Sequence, residues 1–206
     1  MTMSDHDLFI HPSALVETHD IGPNTRIWAF SHVMKGAVLG AGCNVGGHTF
    51  IESGARIGNS VTIKNHVLIW DGVVIEDDAF IGPAVVFTND LHPRSPRMAS
   101  EAVRRRYAEP SRWRTMTTVS RGASLGAGSV IVAGVTIGAY AMIGAGSVVT
   151  VDVAPHALVR GNPARHAGWA CQCGGLLPQA DSNPRCLACG SAYELSAKGL
   201  QPSARG

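Results

Sequence analysis

Large apolar residues recur at every sixth position through most of this chain. Steps of six from Phe9 land on Leu15, Ile21, Ile27, Val33, Leu39 and onward to Ile81 and Phe87, without a polar exception. The series resumes at Val119 and runs through Leu125, Ile131, Ile137 and Ile143 to Val149, with Trp113 extending it backwards by one step. From Thr25 onward, four residues after each anchor stands a small or β-branched residue, such as Thr25, Ala37, Cys43, Val61, Ala123, Ser147 or Val153, Leu91 being the large exception. A period of six drifts around a 3.6-residue helix, so no helix keeps these residues on one face. The strands of an ordinary sandwich are not so evenly spaced. A six-residue unit with two inward positions describes one flat side of a coil, and three sides close a triangle of eighteen residues. Glycine often follows the anchor, as at Gly40, Gly46, Gly58, Gly126 and Gly144, where a tight corner tolerates little else.

The expected fold is therefore all-β, a parallel β-helix of hexapeptide repeats. Twenty-one hexads make about seven coils, a prism roughly 34 Å tall at the usual strand spacing. Residues 1–8 are expected to be a disordered N-terminus and 9–154 the β-helix. Residues 93–112, which keep no hexad order, form an extruded loop, and 155–206 a small cysteine-containing tail. The prism's open ends need caps, which the N-terminus and the tail can supply. Aromatics at 6% and 24 glycines in 206 residues suit so narrow a core.

The formal net charge of +2 gives no global argument for nucleic acid or membrane as a partner. No apolar run approaches the ~18 residues of a membrane span, and the acidic start lacks the pattern of a signal peptide. A cytoplasmic protein is expected, with its five cysteines as thiols or metal ligands.

Residues eighteen apart lie on adjacent coils, so Asp71 should stack beneath Asn89 and His48 beneath His66. Lys64 and Asn65 enrich the same outer wall in polar groups. The segment Pro93 to Arg114 carries seven arginines against Glu101 and Glu109, a local charge of +5 that leaves −3 for the remainder. Guanidiniums extruded from a rigid prism suit phosphate or carboxylate ligands.

The segments "GGHTFIE", "VTIKNHVLIWDG", "FTNDLHPRS", "IGAGSVVT" and "VRGNPAR", in this order, resemble the hexapeptide-repeat sugar-nucleotide N-acetyltransferases, over about residues 9 to 167. The resemblance is nearest to those acting on UDP-2-acetamido-3-amino-2,3-dideoxy-D-glucuronate; their relatives acetylate the 3-amino group of dTDP-linked sugars. It implies a left-handed coil, a homotrimer with sites between prisms, and acetyl transfer from acetyl-CoA to a UDP-linked amino sugar in surface-polysaccharide (O-antigen) synthesis. It also implies that Asn89 lies next to the attacking amine and orients it, an amide being a poor base. Histidines 48, 66 and 92 keep general-base catalysis in play. By residue type, Lys64, His48, His66, Asp71 and Arg94 are candidates for binding the sugar nucleotide. Coenzyme A in this fold lies along the later coils, with Gly126 and Gly144 leaving backbone amides accessible and Arg160 and Arg165 available to its phosphates.

In the tail, Cys186 and Cys189 have the spacing of a zinc knuckle, and Cys171 and Cys173 are one residue short of it. The four would suit structural Zn²⁺; the alternative is a degenerate knuckle or free thiols. Cys43 is excluded, because it holds an inward position. Two rival functions are a γ-type carbonic anhydrase and a non-catalytic β-helix. The former needs a His-x₄-His pair on the coils, and the only such pair is His6 and His11 at the N-terminus. The latter leaves the arginine-rich insertion without a purpose.

Overall fold

The computed structural model describes residues 7–178, 183–196 and 199–203. The segment expected to be a disordered N-terminus lies, apart from its last two residues, outside them.

The chain winds as a parallel β-helix with three flat faces. The first face begins at Phe9–Ile10, carries eight parallel strands up to Ala157–Arg160, and is continued by the antiparallel strands Arg165–Ala170 and Leu176–Leu177. The second begins at Leu15–Val16 and carries seven strands, and the third begins at Val38–Leu39 and carries five. Most strands are two residues long, because each hexad gives only two residues to a ladder before the chain turns. One of the two points out and the next points in, as with exposed Arg26 and buried Ile27.

The inward residues stack on their own equivalents. On the first face Ile27 is followed by Val45, Ile63, Ile81, Leu125, Ile143 and Val159. Most of these side chains are wholly buried. Several buried hydroxyls at the small position are satisfied by the next coil, as where Thr25 donates to the Gly40 carbonyl at 2.8 Å and Ser31 to the Gly46 carbonyl at 2.9 Å, whereas the buried Ser129 hydroxyl has no such partner among the described residues.

Three details depart from the hexad count. Ile10 and Val16, rather than Phe9 and Leu15, align with Ile27 and Val33, so the first coil is one residue short. At the other end Val153 pairs with Ile137, an anchor's place and not a small residue's. The last corner is shortened, and Ala157–Arg160 forms one more coil than the count suggests. Trp113 belongs to no ladder and packs on Tyr107 in the insertion.

The glycines after the anchors are required by contact and not by φ. A Cβ at Gly126 would lie 2.5 Å from the backbone nitrogen of Ala145 on the next coil. The left-handed residues stand two positions further on, at His48, His66, Ala84, Gly128 and Gly146, a conformation that histidine tolerates better than most residues. Across the insertion, ladder partners such as Val86 and Val130 lie 44 apart where ordinary coils give 18, so 26 residues are extruded rather than the 20 of the span 93–112. The insertion contains one helix, Glu101–Tyr107, with Ser100 accepting from Val103 N at its start, and a 3₁₀ turn, Pro110–Arg112. Among the described residues no helix is long and apolar enough to cross a membrane.

Gly126→Ala should lower stability by about 1–3 kcal/mol through collision with the next coil, whereas Gly146→Asn, in open space at φ +67°, should be nearly neutral. Thermal unfolding of the two variants checks this; equal losses would mean that the backbone contact at Gly126 does not limit the coil.

Candidate active site

The three corners between faces organise the polar residues. The corner joining the first and second faces carries Gly46, Gly47 and His48, and above them Lys64, Asn65 and His66. The imidazoles of His48 and His66 stack with centroids 5.0 Å apart and planes 6° from parallel, and Phe30 continues the stack below His48 at 4.9 Å. Trp28 donates its indole N–H to Asn44 Oδ1 at 2.9 Å. A groove of about 630 Å³ runs along this corner, lined by Trp28, Phe30, Asn44, His48 and Lys64. Exposed apolar rings at Trp28 (41%) and Phe30 (62%) mark it as a surface that a ligand could cover. Phe30 stands one coil before His48, so the repeat could have revealed this aromatic column in full.

The corner joining the second and third faces carries Asp71, Asn89 and the root of the insertion. Asn89 Nδ2 donates to the Asp71 carbonyl at 3.2 Å, the stacking expected from the repeat. Each residue of the Phe-Thr-Asn-Asp run has a distinct partner. Phe87 fills the core, Thr88 Oγ1 accepts from Ala133 N at 2.9 Å, and Asn89 O accepts from Thr115 N at 2.9 Å. The Asp71 carboxylate takes both hydrogen bonds of Arg114 Nη1, at 2.9 and 2.7 Å, while Glu52 Oε2 accepts from its backbone N–H. Asp71 is thus engaged by a partner 43 residues away, which the repeat gives no means of finding.

Asp90 organises the arm. It receives Arg106, the Tyr107 hydroxyl at 2.6 Å and the His92 N–H at 2.9 Å, and Tyr107 Oη in turn accepts from Arg94 N. Burial alone would raise the Asp90 pKa, but the hydrogen bonds from Tyr107, His92 and Arg106 outweigh it and hold the carboxyl below its usual range. Three of the seven arginines therefore face carboxylates of this chain: Arg106 on Asp90, Arg112 on Glu109 and Arg114 on Asp71. The Arg94 side chain is exposed, with Nη1 donating to the Pro93 carbonyl.

His48, Lys64 and His66 consequently sit at one edge of the second face, and Asp71, Asn89 and Arg94 at the other. A single chain does not bring them together.

Further up the first corner, Gly126 lies beneath Gly144, and Gly144 beneath Arg160, whose Cβ is 2.9 Å from where a Gly144 Cβ would be. Gly82, Gly126 and Gly144 make a track without side chains between Lys64 below and Arg160 above, about 19 Å long at one strand spacing per coil. Arg160 pairs directly with Arg165 in the antiparallel hairpin. In the tail, the Sγ atoms of Cys171, Cys173, Cys186 and Cys189 lie within 4.8 Å of one another, and Cys43 is buried in the prism.

Residues 19–53 and 116–150 match the family model of the bacterial transferase hexapeptide, six repeats. The chain is 50% identical over 194 residues, 94% of each sequence, to dTDP-3-amino-3,6-dideoxy-alpha-D-galactopyranose 3-N-acetyltransferase of Aneurinibacillus thermoaerophilus. It belongs to the hexapeptide-repeat transferases, on their N-acetyltransferase branch. Among solved structures, a hexapeptide-repeat acetyltransferase of Vibrio cholerae, complexed with acetyl-CoA, is 29% identical with a TM-score of 0.52, over 65% of this chain and 70% of that one. A GDP-perosamine N-acetyltransferase variant of Caulobacter crescentus, complexed with CoA and GDP-perosamine, shares the fold at 22% identity and a TM-score of 0.53. The match covers 80% of this chain and 58% of that one, so this chain spans less than two thirds of that neighbour's length.

Because the folded-state pKa of Asp90 is depressed, its contribution is present above the unfolded value and is lost as pH falls through the folded one. The arm should loosen only below about pH 4. At neutral pH Asp90→Asn should speed tryptic cleavage at the arm's arginines about tenfold or more, from the loss of charge-assisted hydrogen bonds, with little change in the melting of the prism. Unchanged cleavage would show that Asp90 does not hold the arm.

Proposed function

We propose that this transferase acetylates the 3-amino group of a dTDP-linked 3-amino sugar, with acetyl-CoA as donor, in the cytoplasm and for bacterial surface-polysaccharide synthesis. The observation that carries the reading is Asn89 at the root of the insertion. Its Nδ2 is fixed to the Asp71 carbonyl, which leaves Oδ1 to accept a hydrogen bond from an amine and so aim the nitrogen lone pair. The dTDP-sugar specificity of the 50% identical relative supports this choice over the UDP-linked sugar acid that the sequence motifs first suggest.

Two half-sites at opposite edges of one face need a second copy to close. The outward residues of the second face are Leu15, His32, Phe50, Leu68, Val86, Val130 and Val148, a mainly apolar ladder. Packing this face around a threefold axis would set the Asn89 edge of one protomer against the His48–His66 edge of its neighbour. Such a contact is heterologous and closes after three copies. In that arrangement the glycine track seats the extended pantetheine of acetyl-CoA, with Lys64, Arg160 and Arg165 available to phosphates. The exposed Phe30 ring at the foot of the column offers an apolar surface to a nucleobase.

The reaction then needs little from the protein beyond placement. The neutral amine attacks the thioester carbonyl, the carbon–sulfur bond breaks, and the ammonium proton passes to the departing thiolate. A second reading routes that proton through a histidine, since His66 of one copy would approach the amine held by the next.

Purified protein should release free thiol from acetyl-CoA with a dTDP-linked 3-amino sugar at least about tenfold faster, by kcat/KM, than with a UDP-linked sugar acid; that difference is about 1.4 kcal/mol of transition-state binding. The reverse order restores the UDP reading, and no turnover with either removes the assignment. Asn89→Ala should lower kcat about 10²-fold with the fold retained. A histidine base would show as a further fall in kcat in His66→Ala, with the fold and the assembly retained.

A further inference from the structure

The tail does not belong to the repeat and has scarcely any core of its own. Beyond the last coil, the buried residues Cys171, Leu177, Cys186, Tyr193 and Leu200 form one small cluster, with Trp169 packed against it. Units of this size are rarely stable without a staple. The strands Tyr193–Ser196 and Gly199–Pro202 pair only with each other among the described residues.

Two tight turns aim the four cysteines at a common point. Gly174 N donates to the Cys171 carbonyl and Gly190 N to the Cys186 carbonyl, each at 2.9 Å. Both glycines have positive φ, +88° and +78°, in open space, so glycine is needed there for backbone conformation alone. The first turn is closed one residue sooner than the second, which lets Cys-x-Cys present its sulfurs as Cys-x-x-Cys does. Cys171 Sγ lies 3.5 Å from Cys189 Sγ, and Cys173 Sγ 3.6 Å from Cys186 Sγ. Four sulfurs around Zn²⁺ at ~2.3 Å stand about 3.8 Å apart, and the whole set here falls within 4.8 Å. The Tyr193 hydroxyl, 3.0 Å from Cys171 Sγ and accepting from Gln172 N at 3.0 Å, supports the set from behind.

We propose that these four thiolates bind one structural Zn²⁺, and that this metal staples the tail onto the open end of the prism. Soft sulfur donors in a closed tetrahedron select zinc and leave no position for substrate. The stapled unit reaches the last coil in three places. Strand Arg165–Ala170 covers the edge of Ala157–Arg160. The ring of buried His156 lies between Tyr140 and Tyr193, its Nδ1 2.9 Å from the Ala170 carbonyl. Gly199 approaches the Pro155 carbonyl so closely that a Cβ there would be 3.0 Å away. The metal would thereby protect the edge that a parallel β-helix otherwise leaves unpaired.

Metal analysis of the full-length protein, purified under reducing conditions, should give about one zinc per chain. Replacing zinc with one equivalent of Co²⁺ should produce the thiolate charge-transfer and visible bands of a tetrahedral four-sulfur site. Cys186→Ser with Cys189→Ser should cut bound metal at least tenfold, while Cys43→Ser retains it. Chelation should release the metal and open the tail to hydrogen exchange before the central coils. The proposal fails if the reduced protein takes up neither zinc nor cobalt, if the double variant keeps its metal, or if the four cysteines are found as two disulfides. The cobalt spectrum of the unaltered chain decides the matter even if the variants do not fold.

Discussion

Everything in this molecule depends on the requirement that each side chain sit directly above its own equivalent one coil earlier. The ladder hydrogen bonds fix the rise, and the triangular section fixes which residues point inward. An inward position has neither the radial room of a globular core nor freedom to move along the axis. Hence the anchors are aliphatic and the positions beside them small. The residue after the anchor is often glycine, where the next coil's backbone leaves no room for a Cβ, as at Gly40, Gly126 and Gly138. The same stacking acts on the outside, where it sets rings face to face at Phe30, His48 and His66. Core and candidate site are two results of one geometry.

That is also why so much was legible in the sequence, and where legibility stops. The period alone placed Asn89 over Asp71 and His66 over His48, because stacking at eighteen residues needs no knowledge of side-chain chemistry. It failed at the first coil, where Phe9 and Ile10, and likewise Leu15 and Val16, are both apolar and a one-residue slip leaves no trace in hydropathy. Only the ladder partners Ile27 and Val33 decide between them. It failed again at Trp113, which fits the count by spacing but lies in the insertion. The ion pair of Asp71 with Arg114 and the convergence on Asp90 join residues on either side of an aperiodic loop. No spacing rule reaches across such a loop, so these partners had no signal in the sequence.

The insertion itself reads differently once its partners are known. A run of arginines suggests a cationic surface waiting for phosphate, yet Arg106 and Arg114 are turned back onto Asp90 and Asp71. These pairs are partly shielded from water and joined by further hydrogen bonds from Tyr107 and to Glu52, so they hold the loop's root more firmly than exposed ion pairs would. The arm's charge serves first to fix its own base, which is where Asn89 stands. In the proposed reading, position at that point matters more than field strength, since an amide can aid an attacking amine only by holding it in line.

A stacked triangular prism is convex, and a convex body offers grooves along its corners but no enclosed pocket. Acyl transfer benefits from excluding water around the thioester and the amine, which one chain's corners do not do. The apolar second face, with a polar half-site along each edge, supplies the missing element if a second prism lies against it. Catalysis and assembly are then a single property of this surface. If the proposed assembly forms, a charge placed at Leu68, in the middle of the apolar ladder and on neither proposed half-site, would separate the copies and remove activity without touching any residue proposed to meet substrate. Asn89→Ala, by contrast, would slow turnover and leave the assembly intact.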